Sequence, residues 1–162
     1  MGNEACSDTG PILHLHEISK LSLLSIFSKI FVSSHVKGEL LKYEVERLPK
    51  NVELKSINKD QVALISEKYG LGIAESSAIW MCKSLQISVL LTDDLDAREV
   101  AKSLDITPVG TIGIIVRSFR ENKIDREEAI RTLKNIHGIS SLFVTSSLIN
   151  DAIDEIRKFK RK

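Results

Sequence analysis

ISVLLTDDLDAREV, residues 87–100, is the stretch that decides the fold, because it joins a short apolar run to a group of acids. The continuous apolar run at residues 87–91 is typical of a strand that is buried on both faces of a parallel sheet. A helical pattern follows at residues 97–104. A buried strand that leads into a helix predicts an α/β fold, in which functional residues lie beyond the carboxyl ends of the strands. Asp93 and Asp94 stand at such a strand end.

Strand and helix signals alternate along most of the chain. Residues 5–6 form a short first strand, and the apolar residues 30–32 form a second, which ends at Ser33 and Ser34, two side chains that can cap the next helix. Residues 108–109 are expected to form an edge strand, because proline cannot donate a hydrogen bond to a neighbouring strand. This alternation predicts a three-layer sandwich with a short, mostly parallel central sheet flanked by helices.

Cap and stop residues delimit the remaining helices. One begins with Asp60 as its cap and ends at Gly70. Further helices are expected over residues 73–85 and 111–121, after a capping box at 125–128, and from 145–146 into the basic tail. That tail, residues 157–162, is either a frayed helix end or a contact for RNA.

The composition is that of an ordinary globular chain. Its 162 residues suit one domain over residues 1–162, and the net charge of +1 excludes nucleic-acid binding that relies on bulk charge alone. No apolar run approaches the roughly 20 residues that a membrane span needs. Because the N-terminal residues lack a signal-peptide pattern, a cytoplasmic location is expected. Cys6 and Cys82 are expected to be buried free thiols rather than a disulfide.

Acidic residues recur at one kind of position along the predicted sheet. Asp8 follows the first strand, Glu39 lies one turn into the helix after the second, and Glu75 lies near the start of the helix over residues 73–85. With Asp93 and Asp94 they are expected to converge at one edge of the sheet. Converging carboxylates repel each other unless a cation lies among them, and their oxygens suit Mg²⁺ or Mn²⁺. Taken singly, each acid also suits a helix N-terminus without any metal.

Four segments, in this order, resemble the motifs of PIN-domain nucleases, in particular the branch of VapC-type toxins. They are SDTGPILHLHEISKLSLL (7–24), VKGEL (36–40), LGIAESSAI (71–79) and LLTDDLDAREVAKSLDITPVGTIGII (90–115). The resemblance covers about residues 5–120, and residues 121–162 are expected to add a helical C-terminal part to the same domain.

The resemblance implies a PIN-like sandwich with an acidic pocket that binds Mg²⁺ or Mn²⁺ and hydrolyses RNA phosphodiester bonds. It implies that Asp8 and Glu75 hold the metal and that Asp93 or Asp94 is the further metal ligand. It also implies that Glu39, the second acid of the family pattern, completes the catalytic site or helps to deprotonate water. As partners it implies an RNA substrate, a small antitoxin protein and a second copy of the chain in a homodimer.

One departure from the family pattern supports an alternative function. Ile73 stands where the motif has its first glutamate, so the third acid of the family rests on Glu75 alone. The alternative is a catalytically silent PIN-like module that binds RNA or a partner protein.

Other polar residues have simpler interpretations than a catalytic role. His14 and His16 are not expected to form a metal pair, because positions i and i+2 do not share a helix face. Asp96 is expected to pair with Arg98. Taken singly, Glu39 is also compatible with a surface pairing to its neighbours Lys42 and Tyr43. Trp80 is expected either in the core or at a dimer interface.

Overall fold

The computed structural model describes residues 3–161. One sheet contains five parallel strands: β1 (Glu4–Ser7), β2 (Lys29–Ser33), β3 (Val52–Lys55), β4 (Val89–Leu91) and β5 (Thr107–Val109). The helices are α1 (Thr9–Glu17), α2 (Ser34–Lys42), α3 (Lys59–Tyr69), α4 (Ile73–Leu85), α5 (Leu95–Ser103), α6 (Thr111–Arg120), α7 (Arg126–Gly138) and α8 (Ser146–Lys158), with a 3₁₀ helix at Leu21–Ile26.

The strand order is β3-β2-β1-β4-β5, so the chain changes direction across the sheet between β1 and β4. The chain forms β1, β2 and β3 in order toward one edge of the sheet. It then returns to the other side of β1 and forms β4 and β5 toward the opposite edge. At such a reversal the connections leave the two central strands in opposite directions, which opens a crevice beyond their carboxyl ends. The pairing of Ser7 with Leu91, followed by a hydrogen bond from Asp8 N to Leu91 O at 3.1 Å, aligns those two strand ends.

Successive side chains of the strands face two separate cores, as the pleat requires. Ala5 and Ile30 face a core that includes apolar residues of α1, α2, α6, α7 and α8, whereas Cys6, Phe31 and Leu90 face a core against α4 and α5. Helices therefore cover both faces of the sheet. The predicted three-layer α/β sandwich is confirmed.

Most helix ends lie where cap and stop residues predict them. Ser33 caps α2 by accepting a hydrogen bond from Val36 N, α4 covers residues 73–85, and Gly70 ends α3 in the left-handed conformation with φ 66°. Thr145 caps α8. The predicted cap at Asp60 is wrong, because Asn58 accepts the hydrogen bond from Gln61 N at 3.1 Å and Asp60 lies in the first turn.

The strand of residues 87–91 is shorter than its apolar run. Gln86 ends α4 with φ 56°, and Ile87 N still donates to Cys82 O, so the chain becomes extended only at Val89. At the other end of the run, α5 begins at Leu95 rather than at residue 97. Three elements, α1, the 3₁₀ helix and β3, lie outside the predicted pattern. β3 is an edge strand without a fully buried residue, and its sequence has no apolar run.

The remaining structural expectations have mixed outcomes. Cys6 and Cys82 are both buried free thiols, as expected. Trp80 is half-buried and donates from Nε1 to Gln61 in α3. Part of the basic tail is not frayed, because Arg161 donates to the carbonyl oxygens of Phe119 and Ile124, while Lys162 lies outside the described residues. Within residues 3–161, no helix is both long enough and apolar enough for a membrane span.

Candidate active site

A pocket of about 250 Å³ opens beyond the carboxyl ends of β1 and β4. Its wall is formed by the turn into α1, the first turn of α4, the residues after β4 and the segment between α7 and α8: Asp8, Thr9, Gly10, His14, Glu75, Asp93, Asp94, Ser141, Leu142 and Phe143. Four of the five predicted acids therefore line one cavity, although more than 80 residues of sequence separate the first from the last.

Asp8 is the most deeply buried acid of this pocket, with a relative exposure of 3%. It caps α1 by accepting a hydrogen bond from Gly10 N, and its Oδ2 accepts one from Thr92 Oγ1 at 2.5 Å. Burial raises the pKa of Asp8 to about 8; the hydrogen bond from Thr92 acts against this, and the nearby charges of Glu75 and Asp93 add to it. The pocket thus concentrates negative charge without a compensating cation.

Asp93 is held by three donors from two helices. Thr111 donates from its backbone N to Oδ1 at 2.7 Å and from its hydroxyl to Oδ2 at 2.6 Å. His14 Nδ1 lies 2.7 Å from Oδ2, and because a carboxylate only accepts, the histidine is the donor in this contact. Thr111 is the first residue of α6, so the helix N-terminus also favours the negative charge there.

Position 110 requires a glycine, because Asp93 and Arg98 lie close to its backbone. A Cβ at position 110 would lie 2.8 Å from Asp93 Oδ1 and 3.0 Å from Arg98 Nη1. Arg98 in turn donates to Thr92 O at 3.1 Å, so the predicted pairing of Asp96 with Arg98 is wrong. Asp96 lies in the first turn of α5 and is exposed.

Asp94 has a different local task from Asp93, although both line the pocket. Its Oδ1 accepts a hydrogen bond from Ala97 N at 2.8 Å and so caps α5. Its backbone N donates to Thr92 Oγ1 at 3.2 Å, which places Thr92 between Asp94 and Asp8. Capping therefore uses one carboxylate oxygen of Asp94 and leaves the other without a bond in the cap.

Glu75 enters the pocket from the first turn of α4. Its carboxylate folds back over Gly72, where a Cβ would overlap with Oε2, so a side chain at position 72 would displace it. Ile73, the residue at the position of the family's first glutamate, is 40% exposed.

Glu39 does not line the pocket but lies one hydrogen bond away from it. Its Oε2 accepts from Thr9 Oγ1 at 2.7 Å, and Thr9 belongs to the pocket wall. Its Oε1 lies 3.5 Å from His35 Nε2. The surface pairing of Glu39 with Lys42 or Tyr43 is therefore wrong.

Three contributions to this pocket escaped the sequence interpretation. His14 and His16 do not share a face of α1, and His16 is exposed. His14 instead shares a face with Gly10 and so reaches the pocket. The i, i+4 spacing from Gly10 was the available signal. Thr111 is part of a motif without an assigned role, and residues 141–143 belong to a segment that carries no motif at all.

The donor chemistry of the pocket fits a hard divalent cation. Carboxylate oxygens and hydroxyls surround it without any thiolate, a set that Mg²⁺ and Mn²⁺ prefer. As the side chains stand, no group of three or more His, Cys, Asp or Glu residues among residues 3–161 is arranged to hold a metal ion. Burial is the main cause of the raised pKa of Asp8, and the charges of Glu75 and Asp93 add to it; a bound cation would offset this second contribution.

Comparison with known proteins gives one match. A family model described as a PIN domain matches residues 4–158, a range that includes the five predicted acids, the pocket wall and α8. Neither the curated proteins nor the solved structures contain a match to the chain.

Proposed function

The chain belongs to the PIN-domain family, whose members are generally nucleases, and on this premise we propose that it is a metal-dependent endoribonuclease that hydrolyses RNA phosphodiester bonds. The observation that carries the proposal is the crowding at Asp8. A carboxyl group that is 3% exposed beside two further acids is unfavourable for folding alone, and it makes sense as one side of a cation site.

In this proposal Asp8, Glu75 and either Asp93 or Asp94 hold Mg²⁺ or Mn²⁺. The bound ion supplies positive charge for a phosphate oxygen and lowers the pKa of a bound water. Asp93 is kept in one orientation by Thr111 and His14, so its position does not have to be established when substrate arrives.

Glu39 acts on the pocket through Thr9. Because Thr9 gives its single hydroxyl proton to Glu39, the oxygen of that hydroxyl is left as an acceptor on the pocket side. A water that donates to Thr9 Oγ1 is thereby oriented with its lone pairs away from the threonine. Glu39 is accordingly a positioning residue whose loss lowers the rate less than the loss of a pocket acid.

RNA cleavage with Mn²⁺ or Mg²⁺ tests the proposal. Asp8→Asn and Glu75→Gln should each lower kcat/KM by at least about 100-fold. Each substitution removes a negative charge from the pocket, which weakens both metal binding and transition-state stabilisation. Asp93→Asn and Asp94→Asn, compared with each other, identify the further ligand. Asp96→Asn is the matched control, since Asp96 is an exposed acid of the same segment outside the pocket. Equal activity of wild type and Asp8→Asn would refute the proposed roles.

A catalytically silent module is the second candidate, and Ile73 is the residue that favours it. Calorimetric titration with Mn²⁺ separates the two candidates. The nuclease should bind Mn²⁺ saturably in wild type and lose this binding in Asp8→Asn, whereas a silent module should show no Asp8-dependent binding in either protein.

A toxin role extends the proposal to the cell. It includes a small antitoxin as the inhibiting partner, a homodimer and a cytoplasmic location, and it is supported by the order of the four sequence motifs. Expression of wild type in a bacterial host should arrest growth, and Asp8→Asn should not. Growth arrest by both proteins would separate the toxicity from RNA cleavage.

A further inference from the structure

The segment between α7 and α8, residues 139–145, crosses the rim of the acidic pocket. Ser141, Leu142 and Phe143 belong to the pocket wall, although the segment contains no acid, histidine or cysteine. Phe143 is 92% exposed, the highest exposure among the large apolar side chains that are exposed in the described chain. A single exposed apolar side chain is ordinary on a protein surface; what distinguishes Phe143 is its place in the wall of the acidic pocket.

Hydrogen bonds fix this segment at both ends. Ser141 donates from its backbone N and its hydroxyl to Glu17 Oε1 at 2.9 and 2.8 Å, which ties the segment to the end of α1. Thr145 accepts from Leu148 N at 3.1 Å and so caps α8. The backbone on either side of Phe143 is therefore anchored, to α1 on one side and to α8 on the other.

Packing of the neighbouring residues turns Phe143 outward. Leu142 and Val144 are partly buried and pack against the larger core. In an extended segment successive side chains point to opposite sides, so the burial of these two residues places the ring between them in solvent. Phe143 is a ring on a fixed backbone at the rim of the pocket, and its orientation does not rely on a mobile loop.

Resting on the proposed nuclease function, we infer that Phe143 is a stacking platform for an unpaired nucleobase next to the scissile phosphate. A phosphate in the pocket places the adjacent base at the rim, where it meets the face or edge of the ring. Stacking of a base on an aromatic side chain contributes affinity without charge, which suits a pocket lined by acids. Bases inside a duplex are already stacked on both faces and cannot make this contact.

The surroundings of Phe143 favour a nucleobase over a protein partner. A stable protein interface needs roughly 800 Å² of complementary surface on each side, with its buried polar groups paired. The pocket wall that Phe143 belongs to includes the carboxylates of Asp8, Glu75, Asp93 and Asp94, which an apolar protein surface would leave unpaired. A nucleotide instead brings a base for the ring and a phosphate for the cation site.

Binding of a fluorescently labelled, unstructured RNA oligonucleotide tests the inference. Anisotropy is measured in Ca²⁺, a hard cation that carboxylates also bind, and the RNA is checked for integrity on a gel. Phe143→Ala should weaken binding about 10-fold, Phe143→Trp should bind as tightly as wild type or more tightly, and Phe143→Leu should fall between them. Ile139→Ala is the matched control, because Ile139 is 63% exposed in the same segment but does not line the pocket.

Further measurements test whether the contact between Phe143 and RNA is a stacking contact. The same oligonucleotide annealed to its complement should bind equally to wild type and Phe143→Ala. The loss in Phe143→Ala should keep its size as salt rises, because stacking releases no counterions. During cleavage, Phe143→Ala should raise KM about 10-fold with little change in kcat, while its calorimetric Mn²⁺ affinity equals that of wild type.

The results separate a failure of this inference from a failure of the nuclease proposal. Phe143-dependent binding of RNA without cleavage would refute the nuclease activity and support the stacking contact. Cleavage with an unchanged KM in Phe143→Ala would overturn the stacking contact and leave the nuclease intact. A lower Mn²⁺ affinity in Phe143→Ala, or a change in its sedimentation that accounts for the lost RNA binding, would also overturn it in favour of a structural or protein contact.

Discussion

Asp8 is a buried acid whose charged form is unfavourable for the stability of the fold. Its carboxyl group is 3% exposed and lies near two further acids, yet it also caps α1 and accepts a hydrogen bond from Thr92. The two hydrogen bonds keep the side chain in place, while burial makes its charged form unfavourable. The residue is therefore held in a position that favours its protonated form when no cation is bound.

The first prediction concerns the pH dependence of stability without metal. The folded pKa of Asp8, about 8, lies above the unfolded value of about 3.9, so the folded state binds a proton that the unfolded state has released. This stabilisation is fully present below about pH 4 and is lost as the pH rises through about 8. Wild type in EDTA should therefore melt at progressively lower temperature across this range, and Asp8→Asn should remove most of that slope.

Calorimetric or circular-dichroism melts in EDTA check this prediction. Asp96→Asn serves as the control, because it removes an exposed acid from α5 and should leave the slope as in wild type. An unchanged slope in Asp8→Asn would show that the buried carboxyl group does not titrate in this range.

The second prediction concerns Gly110. Gly110→Ala would press a methyl group against Asp93 and Arg98, so it should lower the free energy of unfolding by about 1–3 kcal/mol and reduce RNA cleavage. Gly38→Ala is the matched control: it lies within α2 with nothing within 4 Å of an added Cβ, and it should stabilise the protein by about 0.5–1 kcal/mol. Urea unfolding of both variants measures the difference, and equal free energies would exclude a close approach at position 110.

At the scale of elements, the sequence predicts those whose ends are encoded locally. α4 lies within the predicted boundaries because Gly70 in its left-handed conformation ends the preceding helix just upstream. β4 is shorter than predicted because the end of α4 is formed by Gln86 and Ile87, and an apolar residue within a cap looks like strand in the sequence. β3 lies at the edge of the sheet, so its recognition depends on a neighbouring strand rather than on its own residues.

The third prediction distinguishes two candidate caps of α3. Asn58→Ala should lower the free energy of unfolding by about 1 kcal/mol, because Gln61 N loses its partner. Asp60→Ala should cost only a few tenths of a kcal/mol, since it removes a favourable charge from the first turn and no hydrogen bond. Chemical denaturation of the two variants gives this comparison. A larger loss of stability in Asp60→Ala than in Asn58→Ala would show that Asp60 is the cap of α3.

At the scale of the whole molecule, the candidate site depends on contacts that no local pattern encodes. Four motifs predict which acids converge, because parallel strands end at one edge of the sheet. The position of Glu39 behind Thr9, the contact of His14 with Asp93 and the presence of Phe143 at the rim follow from packing between elements that are distant in sequence. The sequence therefore predicts the acids of the site better than it predicts the residues that surround them.

The fourth prediction is that the chain unfolds as one domain. The single tryptophan, Trp80, lies in α4 and packs against the smaller core, so its fluorescence reports on that layer. Far-ultraviolet circular dichroism reports on all helices, including α7 and α8 on the opposite face. The two signals should give one coincident thermal transition, since both cores share the same sheet. Separate transitions would divide the chain into two units.

The parallel pairing of β1 with β4 has a consequence for protein synthesis. Asp8 leaves the ribosome 84 residues before its partner Thr92, and the neighbouring Asp93 follows Thr92. The rim at Phe143 follows later still. A nascent chain therefore carries an unassembled pocket while it is attached to the RNA-rich machine that makes it, and a prematurely terminated product lacks the site altogether.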